Sequence, residues 1–314
     1  MSPQLRSYLE LVSANDNFSY DFQSQSTYYT FHLPHDDLPH GYMHPLVVSK
    51  MPWTPSFLVD HQTRTVTLRA LANDDMSRAC NSALQDLIDV IIEKNTFEVL
   101  AGRHSEMYRV PGAVCPVSIE RFAAPLFGTI GRGAHLTAYT HTPDGMKIWV
   151  PRRSANLKTY PGMLDSTVAG GVRADENPFS TIVHEADEEA SLSEVVVRRD
   201  VKATGVLTYM HSTDHSFFAE KDLVIPDMLY VYDLELATNM VPIPKDDEVK
   251  EFYLMDIEEV EKALRSGEFK VNSAVVMIDF FIRHGIVTEE NEQDYEEICM
   301  RMHRRLPFPM SKTR

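Results

Sequence analysis

Two rhythms of apolar and polar positions run along the chain. In "DDMSRACNSALQDLIDVIIEKN" the residues Ala79, Ala83, Leu84, Leu87, Ile88 and Ile91 recur every three or four positions, which predicts an amphipathic helix. Leu5, Tyr8, Leu9 and Val12 have the same spacing and predict a short helix laid against the body. "SAVVMIDFFIRHG" and "EENEQDYEEICMRMHRR" read as closing helices, and "DIEEVEKALRSG" opens with Asp256 as an N-cap and Glu259 at the capping-box position. Other segments alternate every second residue and predict strands: "TRTVTLRA" at 63–70, then "VKATGVLTYMH" and "DMLYVYDLEL". "HLTAYTHTPDGMKIWV" alternates on both sides of Pro143-Asp144-Gly145, the pattern of a β-hairpin. The order is mixed first, then strands flanking helices. It predicts an α/β protein with an N-terminal accessory domain over 1–130 and a second domain over 131–314. Gly128, Gly131 and Gly133 read as hinges in the crossing between them.

Composition narrows the function classes. Hydrophobic residues make up 43% and charged residues 24%, the mix of an ordinary globular protein. A formal net charge of −16 argues against nucleic acid as a main partner, because phosphate backbones recruit basic surfaces. A small anionic substrate remains compatible with it, since a local basic cluster or a bound cation overrides the global sign. No apolar run reaches membrane-spanning length, so no membrane partner is expected. Three scattered cysteines and the absence of a secretory apolar core predict a reduced, cytoplasmic setting. Monomer and homodimer both stay open. "HLPHDDLPHGYMHP" holds four histidines, but Pro and Gly break the run and no pair has ligand spacing on one element, which argues against a metal site there.

The chemistry concentrates in "TVAGGVRADENPFSTIVHEADEEASL", residues 167–192. Pro178 suits the first turn of a helix, and from it three to four turns can wind. Glu185, Glu188 and Glu189 then share one face at i, i+3 and i+4, while Ile182, Ala186 and Leu192 form a separate apolar face. Like charges at that spacing weaken a bare helix by a few tenths of a kcal/mol per pair. Hard oxygens clustered on a rigid element are what Mg2+ or Mn2+ takes, with substrate phosphates completing the shell. Gly170 and Gly171 lie just upstream, where backbone can approach a ligand unhindered. Arg152, Arg153 and Lys158 precede them and supply cations for phosphate oxygens. Together these describe a phosphoanhydride site.

The stretch resembles the Nudix box: Gly, five residues, Glu, seven residues, then Arg-Glu-apolar-x-Glu-Glu-x-Gly-apolar. Counted from Gly170 it places Glu176, then His184, Glu185, Ala186, Asp187, Glu188, Glu189, Ala190, Ser191 and Leu192. Every glutamate is in register; His184 stands for the usual Arg and Ser191 for the usual Gly. The resemblance implies an α/β/α sandwich with a mixed sheet, preceded by an α+β accessory domain. It also implies Mg2+ or Mn2+ held by Glu185, Glu188 and Glu189 beside Gly170, activating water against a diphosphate phosphorus. Glu176 and Gly171 would fix the loop–helix geometry, and Glu248 would be the further acid from a late loop. In the family the Arg orients the neighbouring catalytic Glu. A neutral His184 donates one hydrogen bond without fixed charge, which predicts weaker or more pH-sensitive activity. Ser191 is a mild change provided the helix end avoids a left-handed conformation.

Outside the box, "PRRSANLKTYPGMLDSTVAGG", "YVYDLEL", "ALRSGEFK", "IDFFIRHGI" and "RRLPFP" are similar to a two-domain fungal and plant Nudix group. That group is related to the Nudix part fused to thiamine pyrophosphokinase in some fungi. This resemblance implies hydrolysis of thiamine-type diphosphates, especially oxothiamine and oxythiamine diphosphates, to monophosphates. Two alternatives stand beside it: an ADP-ribose or other nucleoside diphosphate hydrolase, and a catalytically silent diphosphate sensor. A flat heterocycle needs an aromatic wall, for which Tyr42, Trp53, Phe57, Trp149 and Tyr160 are candidates, each also at home in a core.

Overall fold

The computed structural model describes residues 5–21, 26–69, 75–100, 105–213 and 220–311. Met1 to Gln4, Ala70 at the end of the expected 63–70 strand, and Asp74 at the start of the expected helix lie outside them. The chain runs α1 (Tyr8–Asn15), β1 (Tyr29–His32), β2 (Gly41–Met43), α2 (Pro45–Lys50), β3 (Phe57–Asp60), β4 (Thr65–Leu68), α3 (Met76–Lys94), β5 (Met107–Arg109), β6 (Ser118–Glu120) and α4 (Ala124–Phe127). It continues through β7 (Gly131–Thr142), β8 (Gly145–Arg153), β9 (Val168–Gly171), α5 (Pro178–Ala190), α6 (Glu194–Asp200), β10 (Lys202–Ser212), β11 (Val224–Glu235), β12 (Val249–Asp256), α7 (Ile257–Arg265), α8 (Val271–Arg283) and α9 (Tyr295–Met302).

The first part is a small sheet, ordered β2-β1-β4-β3, sharing one core with α3. Asp75 caps α3 by accepting from the backbone of Ser77 and Arg78, and Asn95 closes it in a left-handed conformation. The buried face of α3 is Cys80, Ala83, Leu84, Leu87, Ile88 and Ile91, so Cys80 takes the place expected of Ala79. A separate two-stranded hairpin, β5–β6, leads out of this part toward the second sheet. The histidine-rich stretch is structural: His40 meets Asp36 at 2.7 Å, and His44 caps α2.

The second sheet is mixed, ordered β10-β11-β7-β8-β12, with β9 also paired to β7. β7 is the pivot. Its first half pairs with β9 from Gly133–Gly171 to Leu136–Val168, and its last residues pair with β8 through the expected Pro143-Asp144-Gly145 turn. The sheet therefore forks where β9 departs. Thr167 fills the fork, its hydroxyl accepting from Ala138 N–H at 2.8 Å and donating to the Trp149 carbonyl at 2.6 Å. Ile182, Val183, Ala186 and Ala190 of α5 pack on one face with Ala134, Leu136 and Ala138. On the other face α8 packs with α1, α7 and α9 around Tyr139, Ile148 and Val150. The layers are helix, sheet, helix, preceded by the α+β part.

Two local expectations change. α1 begins at Tyr8 rather than Leu5, because a Ser7–Glu10 capping box starts the helix there and leaves Leu5 exposed. Gly131 and Gly133 are not hinges; both lie inside β7, where a Cβ would collide with Asp227 and Leu229 respectively. Gly128 does turn, ending α4 at a φ of 63°.

Candidate active site

α5 starts as its sequence requires. Asn177 is the N-cap, its side chain accepting from Ser180 N–H at 3.0 Å, and Pro178 occupies the first turn. The helix then presents Glu185 and Glu189 toward β9 and leaves Glu188 exposed. Glu189 is only 6% exposed, and its Oε2 accepts the Ala169 N–H of β9 at 3.0 Å. The Glu185 carboxylate fills the space beside Gly170 where any side chain would put its Cβ.

Carboxylates this close and this buried resist ionisation. Burial, then Glu188, Glu248 and Glu106, push Glu185 up to about 7. Burial and Glu185 hold Glu189 well above the ordinary carboxylate range, against the opposing Ala169 hydrogen bond. Glu248, exposed in the loop before β12, faces the same cluster; its carbonyl accepts from Ser154 N–H at 2.8 Å. Among the described residues no three His, Cys, Asp or Glu side chains converge to coordination distance. The donor set is still the one a hard divalent ion takes: several carboxylates against a bare glycine, whose mutual repulsion a cation relieves.

Glu176 acts on the loop rather than on the cluster. It accepts from Thr181 Oγ1 at 2.9 Å and Arg173 Nη2 at 3.0 Å, and its Oε1 meets His184 Nδ1 at 2.9 Å. His184 thus pairs with Glu176 on the outer side of α5, not with a helix glutamate, and its side chain is 56% exposed. Ser191 differs from expectation too. It adopts the left-handed conformation, φ 55°, that the motif's usual glycine favours. Its hydroxyl donates to the Ile243 carbonyl at 2.9 Å, and Lys245 bonds Asp187 at 2.6 Å, so the end of α5 is tied to the loop that carries Glu248.

The basic triplet does not gather at the glutamates. Arg153 turns inward, Nη1 bonding Asp165 at 2.8 Å and Nη2 the Thr159 carbonyl at 3.2 Å. Burial alone would raise Asp165, but Lys270 and Arg153 outweigh it and bring the carboxyl down to about 2. Arg152 donates to the Gly162 carbonyl at 2.9 Å, pairs with Glu268 at 3.4 Å and stacks 5.6 Å from Tyr253. Lys158 lies on a different cavity of about 570 Å³, lined also by Arg6, Tyr160, His211 and Phe269. The reason is strand geometry: neighbours on β8 point to opposite faces, and carboxylates on α7–α8 and the 163–166 segment claim the guanidinium groups first. Of the candidate aromatics, Trp53, Phe57 and Trp149 pack in cores, Tyr42 packs on Phe308, and Tyr160 lines the cavity.

Hairpin β5–β6 brings residues that no local pattern marked. Ala174 N–H bonds the Met107 carbonyl at 2.8 Å, clamping the hairpin to the loop after β9. The Tyr108 hydroxyl then sits where Gly171 lacks a side chain. Burial pushes this phenol up to about 12. Arg121, just past β6, pairs with Glu106 at 3.5 Å and lies 5.8 Å from the Tyr108 ring. Its charge is felt by Glu185 and by Glu248. Nothing in the sequence connects positions 106–121 to 185; only the packing does.

Residues 134–274 match the NUDIX domain family model, so this part of the chain carries a Nudix domain. The uncharacterized protein YJR142W of Saccharomyces cerevisiae is 34% identical over 96% of this chain and 92% of its own length. Two Arabidopsis thaliana proteins are also similar. Nudix hydrolase 20, chloroplastic, is 34% identical over 77% of this chain and 61% of its own length. Nudix hydrolase 24, chloroplastic, is 37% identical over 62% of this chain and 52% of its own length. The chain thus spans between half and two thirds of each plant relative.

Proposed function

We propose that this protein is a divalent-ion-dependent diphosphate hydrolase of thiamine-type diphosphates. Oxothiamine and oxythiamine diphosphates are the favoured substrates over thiamine diphosphate itself, each giving a monophosphate and phosphate. The observation that carries the hydrolytic reading is the meeting of Glu185 and Glu189 with the bare backbone of Gly170 and the Ala169 amide. Glu185, Glu188 and Glu189 are the residues that would hold Mg2+ or Mn2+, and such an ion, when bound, acidifies water and offsets phosphoryl charge. Glu248, on the loop before β12, is the acid that would accept a proton from the attacking water. Glu176, with Arg173, Thr181 and His184, keeps the loop between β9 and α5 in register with those carboxylates.

The substrate class rests on the resemblance of residues 120–309 to the two-domain group. A cytoplasmic setting and a diphosphate metabolite as the partner belong to the same reading. Purified protein given oxothiamine, oxythiamine and thiamine diphosphates and ADP-ribose, with Mg2+ and then with chelator, tests it. The expected result is ion-dependent release of phosphate, fastest with the oxothiamine and oxythiamine diphosphates. Preference for ADP-ribose would overturn the substrate, and silence on every diphosphate would overturn the hydrolase.

A further inference from the structure

The substrate's diphosphate needs a cation besides any ion the glutamates hold, and most cations near the site are already committed. Arg153 and Lys270 both bond Asp165, Arg152 pairs with Glu268, Lys245 with Asp187, and Arg173 with Glu176. Lys158 and Arg6 face the separate cavity. Arg121 differs. Its side chain is 47% exposed, that of its carboxylate partner Glu106, at a loose 3.5 Å, is 44% exposed, and the Tyr108 and Phe122 rings hold it from the side, each 5.8 Å away. Those rings fix its position without using up its donors. The hairpin that carries it is anchored on the loop after β9, with Tyr108 against Gly171, one residue from the glycine that receives Glu185.

We propose that Arg121, delivered by hairpin β5–β6, is the guanidinium that grips the substrate's diphosphate beside Glu185 and Glu248. A planar fork of N–H donors matches phosphate oxygens in a way that a point-charge ammonium does not. The accessory part then completes the phosphate subsite of a centre whose proposed ion-holding glutamates come from α5 of the second part. This rests on the hydrolase reading above.

The test uses the full chain, with methylenediphosphonate as a non-hydrolysable probe in the presence of Mg2+, measured by calorimetry, alongside kcat and KM on the best-hydrolysed diphosphate. Arg121→Gln is expected to weaken probe binding about 10–100-fold, the effect of losing a hydrogen bond to a charged group. It should raise KM while leaving Mn2+ binding without the probe no weaker, because a cation has been removed beside the acids. Arg121→Lys should recover part of the probe affinity, and Glu106→Gln should leave it no weaker. If the wild type hydrolyses diphosphates but Arg121→Gln binds the probe as tightly, Arg121 only neutralises the acids and the inference fails. If the wild type neither binds the probe nor cleaves any diphosphate, the hydrolase reading fails and takes the inference with it.

Discussion

The carboxylate of Glu185 and the missing side chain of Gly170 occupy the same space: a Cβ at position 170 would lie well inside 3.0 Å of Glu185. β9 and α5 approach each other this closely because residue 170 has no Cβ, and the approach is what sets Glu185 beside the Glu189–Ala169 contact.

Gly170→Ala is therefore expected to displace Glu185 rather than to unfold the chain. The fold should lose about 1–3 kcal/mol, the usual cost of overpacking. Mn2+ binding followed by electron paramagnetic resonance should weaken far more than the melting temperature falls. Equal, modest losses in both would mean that Glu185 does not depend on this gap.

Glu189→Gln keeps an acceptor for the Ala169 amide while removing the charge, so the fold should persist. Hydrolysis should fall by about a hundredfold or more, as when a positioned carboxylate is lost from a reacting centre. Steady-state rates with Mg2+ check this, and circular dichroism checks the fold.

The acids also predict a pH signature. Glu185 titrates near 7 in the folded chain against 4.5 when free. Between those values the folded state holds a proton that the unfolded state has released, so without divalent ions stability should fall as pH rises through that window. Ions compete with the same proton, so stabilisation by Mg2+ should be larger at pH 8 than at pH 6. Melting curves in EDTA and in Mg2+ across the range measure both slopes, and Glu185→Gln should flatten them.

Arg153 is a test of structure against chemistry. Removing it leaves Asp165 buried beside Lys270 with one partner fewer, which should cost about 3–5 kcal/mol. Lys158→Ala, on an exposed side chain, should change stability by no more than about 0.5 kcal/mol. Urea unfolding of the two variants separates them; comparable small effects would show that Arg153 is free for substrate after all.

Ser191 holds a left-handed conformation that costs a side-chain-bearing residue about 1 kcal/mol. Ser191→Gly relieves that strain and loses the Ile243 bond, whereas Ser191→Ala loses the bond and keeps the strain. Denaturation midpoints should place the glycine variant above the alanine variant.

Periodicity and spacing by themselves determined the longer helices, the hairpin turn and the run of glutamates along α5, because those features depend on residues within a turn or two of one another. The span from Asn177 to Ser191 carries its own cap, apolar stripe and acidic face, so it folds as it reads. Tertiary structure alone decided which charges meet. Arg152 and Arg153 end β8, the strand before the glycine strand in the chain, yet turn to Glu268 and Asp165, since strand neighbours point apart and each guanidinium meets the carboxylate on its own side. Arg121 and Tyr108 lie more than sixty positions from Glu185 along the chain and reach it because the accessory hairpin docks on the loop after β9. Contacts between distant segments follow from packing and desolvation over the whole fold, and no local pattern of residues encodes them.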